Sequence, residues 1–325
     1  MDLSGKLVLI TGSSGFIGSH VCQKLLKSGA HVRAFVRKGG AVGLSCHKNL
    51  EYSTGDLLDS KSLERACENV DAIVHLGGIS HSNTWDDEIL IDTNIDGTQS
   101  LLSAAVLKGV KKFIFISSSL AAAGKRGNKS ITDYGNSKLQ AEKLVLEENR
   151  KGNIDSVVLR PVNVYGQGMR GNIAVLISLI SRRLVPKLPE LRNPISLVGV
   201  DDLCVAIELC LNSDKASGRV YLVTDGEEYT VSGIESGIYR ALGTEEPKLR
   251  LSRSMVYTGI VALSSVNNLL KFFNKRCPLI QSISLRTYHN LVDESLYDNN
   301  EICGELGFTP KSTFYSSLPK ILNSR

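Results

Sequence analysis

Short apolar runs recur along the first half of the chain, each followed by a stretch with helical spacing. KLVLI occupies 6–10, a helix is expected from about Phe16 to Ser28, and HVRAFV occupies 31–36. The series continues with DAIVHL at 71–76, a helix around 89–107, KFIFIS at 112–117, a helix over about 134–149 and DSVVLR at 155–160. Apolar runs without polar alternation predict strands covered on both faces, as in a parallel sheet. Strand–helix repetition at this spacing predicts a doubly wound α/β layer.

After Gly166 the rhythm loosens. Segments 167–195 and 225–325 carry helical patterns but few strands, with prolines at 186, 189, 194, 247 and 278. Between them, ISLVGVDDLCVAIELCL at 195–211 and RVYLV at 219–223 still fit the first layer. The expected organisation is therefore two interleaved lobes. Residues 1–166 with about 196–224 are expected to form the doubly wound lobe, and 167–195 with 225–325 a smaller, mostly helical one.

Composition adds mainly exclusions. The 325 residues are 42% hydrophobic and 22% charged, ordinary for a globular chain. The net charge of +5 comes from 38 basic and 33 acidic residues without blocks of either sign, which gives nucleic acid no footprint. Seven scattered cysteines form no CxxC pair, so neither a zinc site nor a dithiol centre is expected, and free thiols fit a reducing compartment. The apolar stretch at 255–273 is broken by Ser264, Ser265, Asn267 and Asn268, short of the roughly 20 apolar residues of a span. It reads as a buried or amphipathic helix, and a cytoplasmic location follows as the expectation.

TGSSGFIG at 11–18 places Gly12, Gly15 and Gly18 between the first strand and the first helix. Glycine there permits a tight turn and lets the backbone approach a pyrophosphate at the positive end of a helix. Ser14, Phe16 and Ile17 complete that loop as cofactor contacts, so the first lobe is expected to be a dinucleotide-binding Rossmann domain and the second the substrate-binding lobe. An acid about 20 residues on would bind the ribose 2′-hydroxyl of NAD. Here Arg37 and Lys38 end the second strand, and no Asp or Glu occurs from Leu3 to Leu50. A guanidinium grips a 2′-phosphate that a carboxylate would repel, which favours NADP(H). NAD(H) with Arg37 stacked on adenine is the alternative. Asp56, after another strand, can meet the adenine amino group.

Tyr134 and Lys138 are four apart and share one helical face. A free tyrosine has a pKa near 10, and an ammonium that shifted it by three units would supply about 4 kcal/mol. Upstream, SSS at 117–119 ends a strand, where a hydroxyl could hold the carbonyl oxygen that Tyr134 protonates.

Taken together, the sequence resembles the extended short-chain dehydrogenases/reductases, the NAD-dependent epimerase/dehydratase type. The matching motifs are TGSSGFIG (11–18), GDLLD (55–59), HLGG (75–78), TNIDGTQSLL (93–102), FIFISSSLAAAG (113–124), YGNSK (134–138), LRPVNVYG (159–166), VGVDDL (198–203) and ELGFTPK (305–311). The resemblance implies Ser119 as catalytic hydroxyl, with Ser118 as its nearest substitute, Tyr134 as proton donor, and Lys138 as the group that tunes Tyr134 and holds the nicotinamide ribose. It also implies cofactor contacts from Leu57, Leu76, Gly77, Gly78, Asn94, Ser117, Pro161 and Val164. Ser80, His81 and Asn163 are candidates to face substrate. A homodimer through the helices near 89–107 and 134–149 is a further implication.

Within that family, sugar 4,6-dehydratases need an Asp-Glu pair directly after the catalytic hydroxyl, and 3,5-epimerase-reductases a cysteine. Leu120 and Ala121 stand there and move no proton. Ketone reduction, alcohol oxidation and 4-epimerisation through a transient ketone remain. A net reductase draws on NADPH, whereas an epimerase keeps NAD, so Arg37 favours reduction.

The stretch from 168 through NPISLVGVDDL looks most like bacterial 4-ketoreductases of UDP-6-deoxy sugars, with Asn172 opening the helix above the diphosphate. Pro194 and Ile195 stand where those enzymes carry a phosphate-binding arginine, leaving Arg192 as the candidate. SSLAAAG and VRAFVR also resemble reductases of apolar ketones, the dihydroflavonol-reductase and hydroxysteroid-dehydrogenase types. A non-catalytic NADP sensor on the same fold is the reading outside this class. His75, at a strand end, is expected to be packed structure.

Overall fold

The computed structural model describes residues 3–40, 47–79, 89, 91–125, 132–272 and 295–323. In chain order the elements begin with β1 (Leu7–Thr11), α1 (Phe16–Lys27), β2 (His31–Val36), β3 (Leu50–Thr54), α2 (Ser60–Ala66) and β4 (Ala72–His75). A π-turn at Asp92–Asp96 leads into α3 (Gly97–Leu107), followed by β5 (Lys112–Ile116), a 3₁₀ turn (Ser119–Lys125), α4 (Asp133–Arg150) and β6 (Asp155–Pro161). Then come β7 (Asn163–Tyr165), α5 (Asn172–Ser181), β8 (Pro194–Ile195), β9 (Leu197–Gly199), α6 (Val200–Asn212) and β10 (Val220–Val223). The last are β11 (Tyr229–Thr230), α7 (Val231–Ala241), α8 (Arg253–Phe272), α9 (Asn300–Leu306) and α10 (Phe314–Asn323).

Seven strands make one sheet in the order β10-β6-β5-β4-β1-β2-β3, with every neighbouring pair parallel. The order reverses between β1 and β4, and in such sheets the crevice beyond the strand ends at that point is where ligands bind. The apolar runs behave as their lack of alternation requires: β4 and β5 are buried along their whole lengths. β3, at the sheet edge, has no fully buried position. Leu9, Ile73, Phe113 and Phe115 pack with Leu63, Leu101, Leu102 and Val145 into one core between the sheet and α2, α3 and α4. Each such side chain, fully buried, contributes about 1.5–3 kcal/mol.

The chain divides into two compact units. The first contains 1–164, 198–225 and 298–311; the second contains 165–197, 226–297 and 312–325. Residues 298–311, assigned above to the second lobe, thus belong with the first. Three contacts fix them there: Asn299 Nδ2 donates to Thr224 O (3.0 Å), the Tyr221 hydroxyl to Glu305 (2.6 Å), and Lys311 N to Asp202 Oδ1 (3.0 Å). In the second unit β8 and β11 pair antiparallel, and the remaining described elements are chiefly helical. Tyr229 and Phe314 meet edge to face there, and the Tyr229 hydroxyl accepts from Phe314 N. No helix among the described residues is long and apolar enough to cross a membrane, α8 included.

Candidate active site

Two positions around the start of α1, Gly12 in the loop after β1 and Gly18, have no room for a Cβ. Gly12 adopts φ +67°, and a Cβ on it would lie 2.8 Å from the Leu76 carbonyl carbon. A Cβ at Gly18 would lie 2.1 Å from Gly12 O. The loop is pinned to β2 by buried Ser13, whose hydroxyl donates to Phe35 O at 3.0 Å. α1 then starts with no side-chain cap on Gly15 and no acidic residue in its first turn. Its leading N–H groups and positive dipole end are therefore left to an anion. Ser14 is exposed beside it, and Phe16 and Ile17 are half-buried.

Arg37 and Lys38 follow β2 directly and are exposed. Asp56 is exposed after β3, its carboxylate accepting from Leu58 N. Leu57 lies against Gly77 and Gly97: a Cβ on either glycine would come within 3.2 Å of its side chain.

A buried chain of hydrogen bonds links these segments. β1 and β4 pair with Thr11 opposite His75. The Thr11 hydroxyl accepts from Gly77 N (2.9 Å) and meets His75 Nδ1 at 2.6 Å. On the other side His75 Nε2 lies 3.0 Å from the Thr98 hydroxyl, which donates to Asn94 O at 2.7 Å. A hydroxyl has one proton to give. Thr98 has given its own, so it accepts from Nε2–H, and Thr11 donates to Nδ1. The imidazole is therefore neutral, and full burial together with the Lys138 ammonium pushes its pKa from 6.5 down to about 3. Asn94, 2% exposed, both accepts from Ile79 N (2.8 Å) and donates to Ile79 O (3.0 Å) and Ser137 (3.1 Å). Packed structure describes His75 correctly but omits that it ties the end of β1 to α3.

α4 is capped by the Thr132 hydroxyl, which accepts from Gly135 N at 3.0 Å. Its buried face carries Tyr134 and Lys138, one turn apart. Lys138 Nζ donates to Ile116 O at 3.0 Å and sits 4.8 Å from the Phe115 ring centre. Burial pushes the Lys138 pKa down to about 8, with the Glu142 charge opposing the fall. Burial likewise pushes Tyr134 up to about 12. The sequence-based expectation was an ammonium lowering the tyrosine; here desolvation dominates, and Tyr134 holds its proton at neutral pH. That state suits a proton donor. A Cβ on Gly78 would come within 3.7 Å of Lys138 Nζ, so the turn after β4 and the Lys138 head group are neighbours. Ser119 is 8% exposed at the start of the 3₁₀ turn, which packs on α4.

Ser117 is committed elsewhere. Its hydroxyl donates to Glu142 Oε1 at 2.5 Å, and Arg160 grips the same carboxylate with Nε at 2.9 Å and Nη2 at 2.5 Å. Sequence reasoning missed Glu142 and Arg160. The available signal was Glu142 itself, four beyond Lys138 on the same face. Pro161 is buried, Val164 half-buried and Asn163 exposed at the end of this region. In the second unit Asn172 is the first residue of α5, after Gly171 at φ +96°. Arg192 is exposed and pairs with Glu190 at 2.5 Å. Ser80 and His81 lie outside the described residues.

The parts assembled in the first unit fit a dinucleotide: a glycine turn that a Cβ would fill, an uncapped helix start, and a buried ammonium beside the turn after β4. Among the described residues, no group of three or more His, Cys, Asp or Glu could hold a metal ion.

Comparison with known proteins agrees. The family model described as NAD dependent epimerase/dehydratase family matches residues 8–224. A UDP-glucose 4-epimerase of Vibrio cholerae is 31% identical over 265 residues, covering 76% of this chain and 78% of that protein. A 3 beta-hydroxysteroid dehydrogenase/Delta 5-->4-isomerase of Mycobacterium tuberculosis is 25% identical, covering 97% and 89%. Among solved structures, UDP-glucuronic acid 4-epimerase from Bacillus cereus, in complex with UDP-glucuronic acid and NAD, shares the fold. It matches with a TM-score of 0.75, 22% identity and 98% of each chain covered. The chain therefore belongs to the NAD-dependent epimerase/dehydratase family, whose members are enzymes.

Proposed function

We propose that this protein reduces the 4-keto group of a nucleotide sugar with NADPH, using Ser119, Tyr134 and Lys138. The observation that carries the reading is a buried, protonated Tyr134 one helical turn before a buried Lys138. The first unit would hold the dinucleotide. Gly12, Gly15 and Gly18, with the N-terminus of α1, would take its pyrophosphate, Arg37 and Lys38 its 2′-phosphate, and Asp56 its adenine. When bound, the nicotinamide supplies the two electrons of the reduction as hydride.

The chain's own residues handle the oxygen. Ser119 would donate a hydrogen bond to the substrate carbonyl, and Tyr134 would give it a proton as it becomes an alkoxide. The Lys138 ammonium stabilises the phenolate left behind, which lowers the cost of that transfer. Leu120 and Ala121 offer no acid–base pair for dehydration. Asn172, at the head of α5, and Arg192 are the second unit's candidates for the diphosphate, and a helix start suits such an anion.

A second reading is nucleotide-sugar 4-epimerisation with retained NAD, favoured by the 31% identity to a UDP-glucose 4-epimerase. One experiment separates the two. Purified protein is assayed for bound nucleotide and then titrated with NADPH and NADH, in the wild type and in Arg37→Asp. NADPH preference that collapses in Arg37→Asp supports reduction, and UDP-4-keto-6-deoxy sugars are then compared with apolar ketones as substrates. Tightly held NAD⁺ with no response to either added nucleotide would replace reduction by epimerisation.

A further inference from the structure

The buried face of α4 is unusual for a helix packed on a sheet. Tyr134, Lys138 and Glu142 fall at successive positions four apart, and the relative exposures are 9%, 5% and 2%. An unpaired carboxylate at such depth would cost several kcal/mol, so it must be held. Arg160, on β6, makes the bidentate contact and Ser117, at the end of β5, the third bond. These three bonds fix the carboxylate one turn beyond Lys138. We propose that Glu142 is a positioning residue for the reaction: clamped by Arg160 and Ser117, it keeps the Lys138 side chain in its ammonium form.

The surroundings of Lys138 leave that task to Glu142. Burial disfavours the ammonium. Of the titratable groups nearby, Tyr134 and Glu142 lie on α4, His75 on β4 and Arg160 on β6, while Asp92 and Asp96 stand on the turn packed against α4. His75 is neutral through its bonds to two threonines. Tyr134 carries its proton, and Arg160 carries a charge of the same sign as the ammonium. Ile116 O and the Phe115 ring orient the ammonium but bring no net charge. Asp96 is exposed and Asp92 part-exposed, which leaves Glu142 to offset the burial.

The inference rests on the reductase reading only for what the ammonium is used for, so the test reads the lysine itself. Lysine is labelled with ¹³C, the Lys138 side-chain signal is assigned by its loss in Lys138→Arg, and its titration is followed without substrate. In Glu142→Gln the midpoint should fall by about one unit. In Arg160→Gln, where the carboxylate loses its clamp, the midpoint should fall as well. A merely structural role would loosen the packing, admit water and raise both midpoints toward the ordinary lysine value. An unchanged or raised midpoint in Glu142→Gln overturns the inference. Should that variant not fold, Arg160→Gln decides: a fall sustains the inference, and a rise or no change removes it. Absence of ketone reduction would defeat the reading of function while leaving these midpoints as they are. If reduction holds, the alkaline limb of kcat/KM should move to lower pH in Glu142→Gln, following the lysine.

Discussion

A neutral, fully buried imidazole makes the nucleotide-binding unit sensitive to acid. His75 titrates at about 3 in the folded chain, against 6.5 as the ordinary value. Between those two pH values the unfolded chain binds a proton that the folded chain refuses, so stability rises with pH through that window and is lost as pH falls. Over the whole window the loss approaches about 5 kcal/mol. Between pH 7 and pH 5 alone it is about 2 kcal/mol, because the folded imidazole is still neutral at pH 5 while the unfolded one is almost wholly charged. The geometry explains why no easy escape exists. A second ring proton would compete with the Thr11 hydroxyl, whose own proton would lose its acceptor, and Gly77 N already occupies that oxygen. Urea unfolding at pH 7 and pH 5, in the wild type and in His75→Gln, isolates the effect. The glutamine amide can still donate toward Thr98 but cannot take up a proton. His75→Gln should be less stable than the wild type at pH 7, by about 1–3 kcal/mol for a damaged buried network. Its further loss on going to pH 5 should be smaller than the wild type's by about 2 kcal/mol. Equal pH dependence in the two proteins would show that His75 is not the acid-sensitive group.

Two further substitutions test the site directly. Tyr134→Phe should abolish turnover and leave dinucleotide affinity within a few-fold, measured by fluorescence titration; activity within tenfold of wild type would remove Tyr134 from the chemistry. Gly18→Ala forces a methyl group onto Gly12 O and should cost more than about 2 kcal/mol in unfolding free energy or displace the loop. Either way dinucleotide affinity should fall at least about tenfold, roughly 1.4 kcal/mol, and unchanged affinity would mean that the loop is not the pyrophosphate seat.

Local features were legible in the sequence because their causes are local. The strand run KLVLI, three glycines and a helix follow one another between Lys6 and Lys27, so backbone geometry and chemistry appear together in one reading. The same holds for Tyr134 and Lys138, whose shared face follows from helical spacing alone. Non-adjacent strands hid the rest. Thr11 and His75 become neighbours only through the β1–β4 register, and Thr98 joins them from a helix that neither strand predicts. Seen singly, each is a small polar or aromatic residue at a strand or helix end, for which packing is the economical explanation. The place of residues 298–311 in the first unit was hidden for the same reason. ELGFTPK carries a landmark pattern, but nothing in it says that Glu305 meets Tyr221 or that Lys311 N meets Asp202.

Glu142 lies between these cases, and it shows what a sequence reading can recover. Helical spacing places it beneath Lys138, and a carboxylate on a face that already buries a tyrosine and a lysine needs an explanation. An ordinary helix would put that charge in water, where an ion pair contributes little. A buried carboxylate instead requires a fixed counter-charge, and the next strand supplies Arg160 at its end, before Pro161. A helix carrying Tyr, Lys and Glu at four-residue intervals, followed by a strand that ends in Arg-Pro, is therefore a testable pattern. Where the arginine is missing, the carboxylate should be exposed or replaced by a neutral residue, and the lysine should titrate differently. The falls in the lysine midpoint expected in both Glu142→Gln and Arg160→Gln are the measurement that gives the pattern physical content.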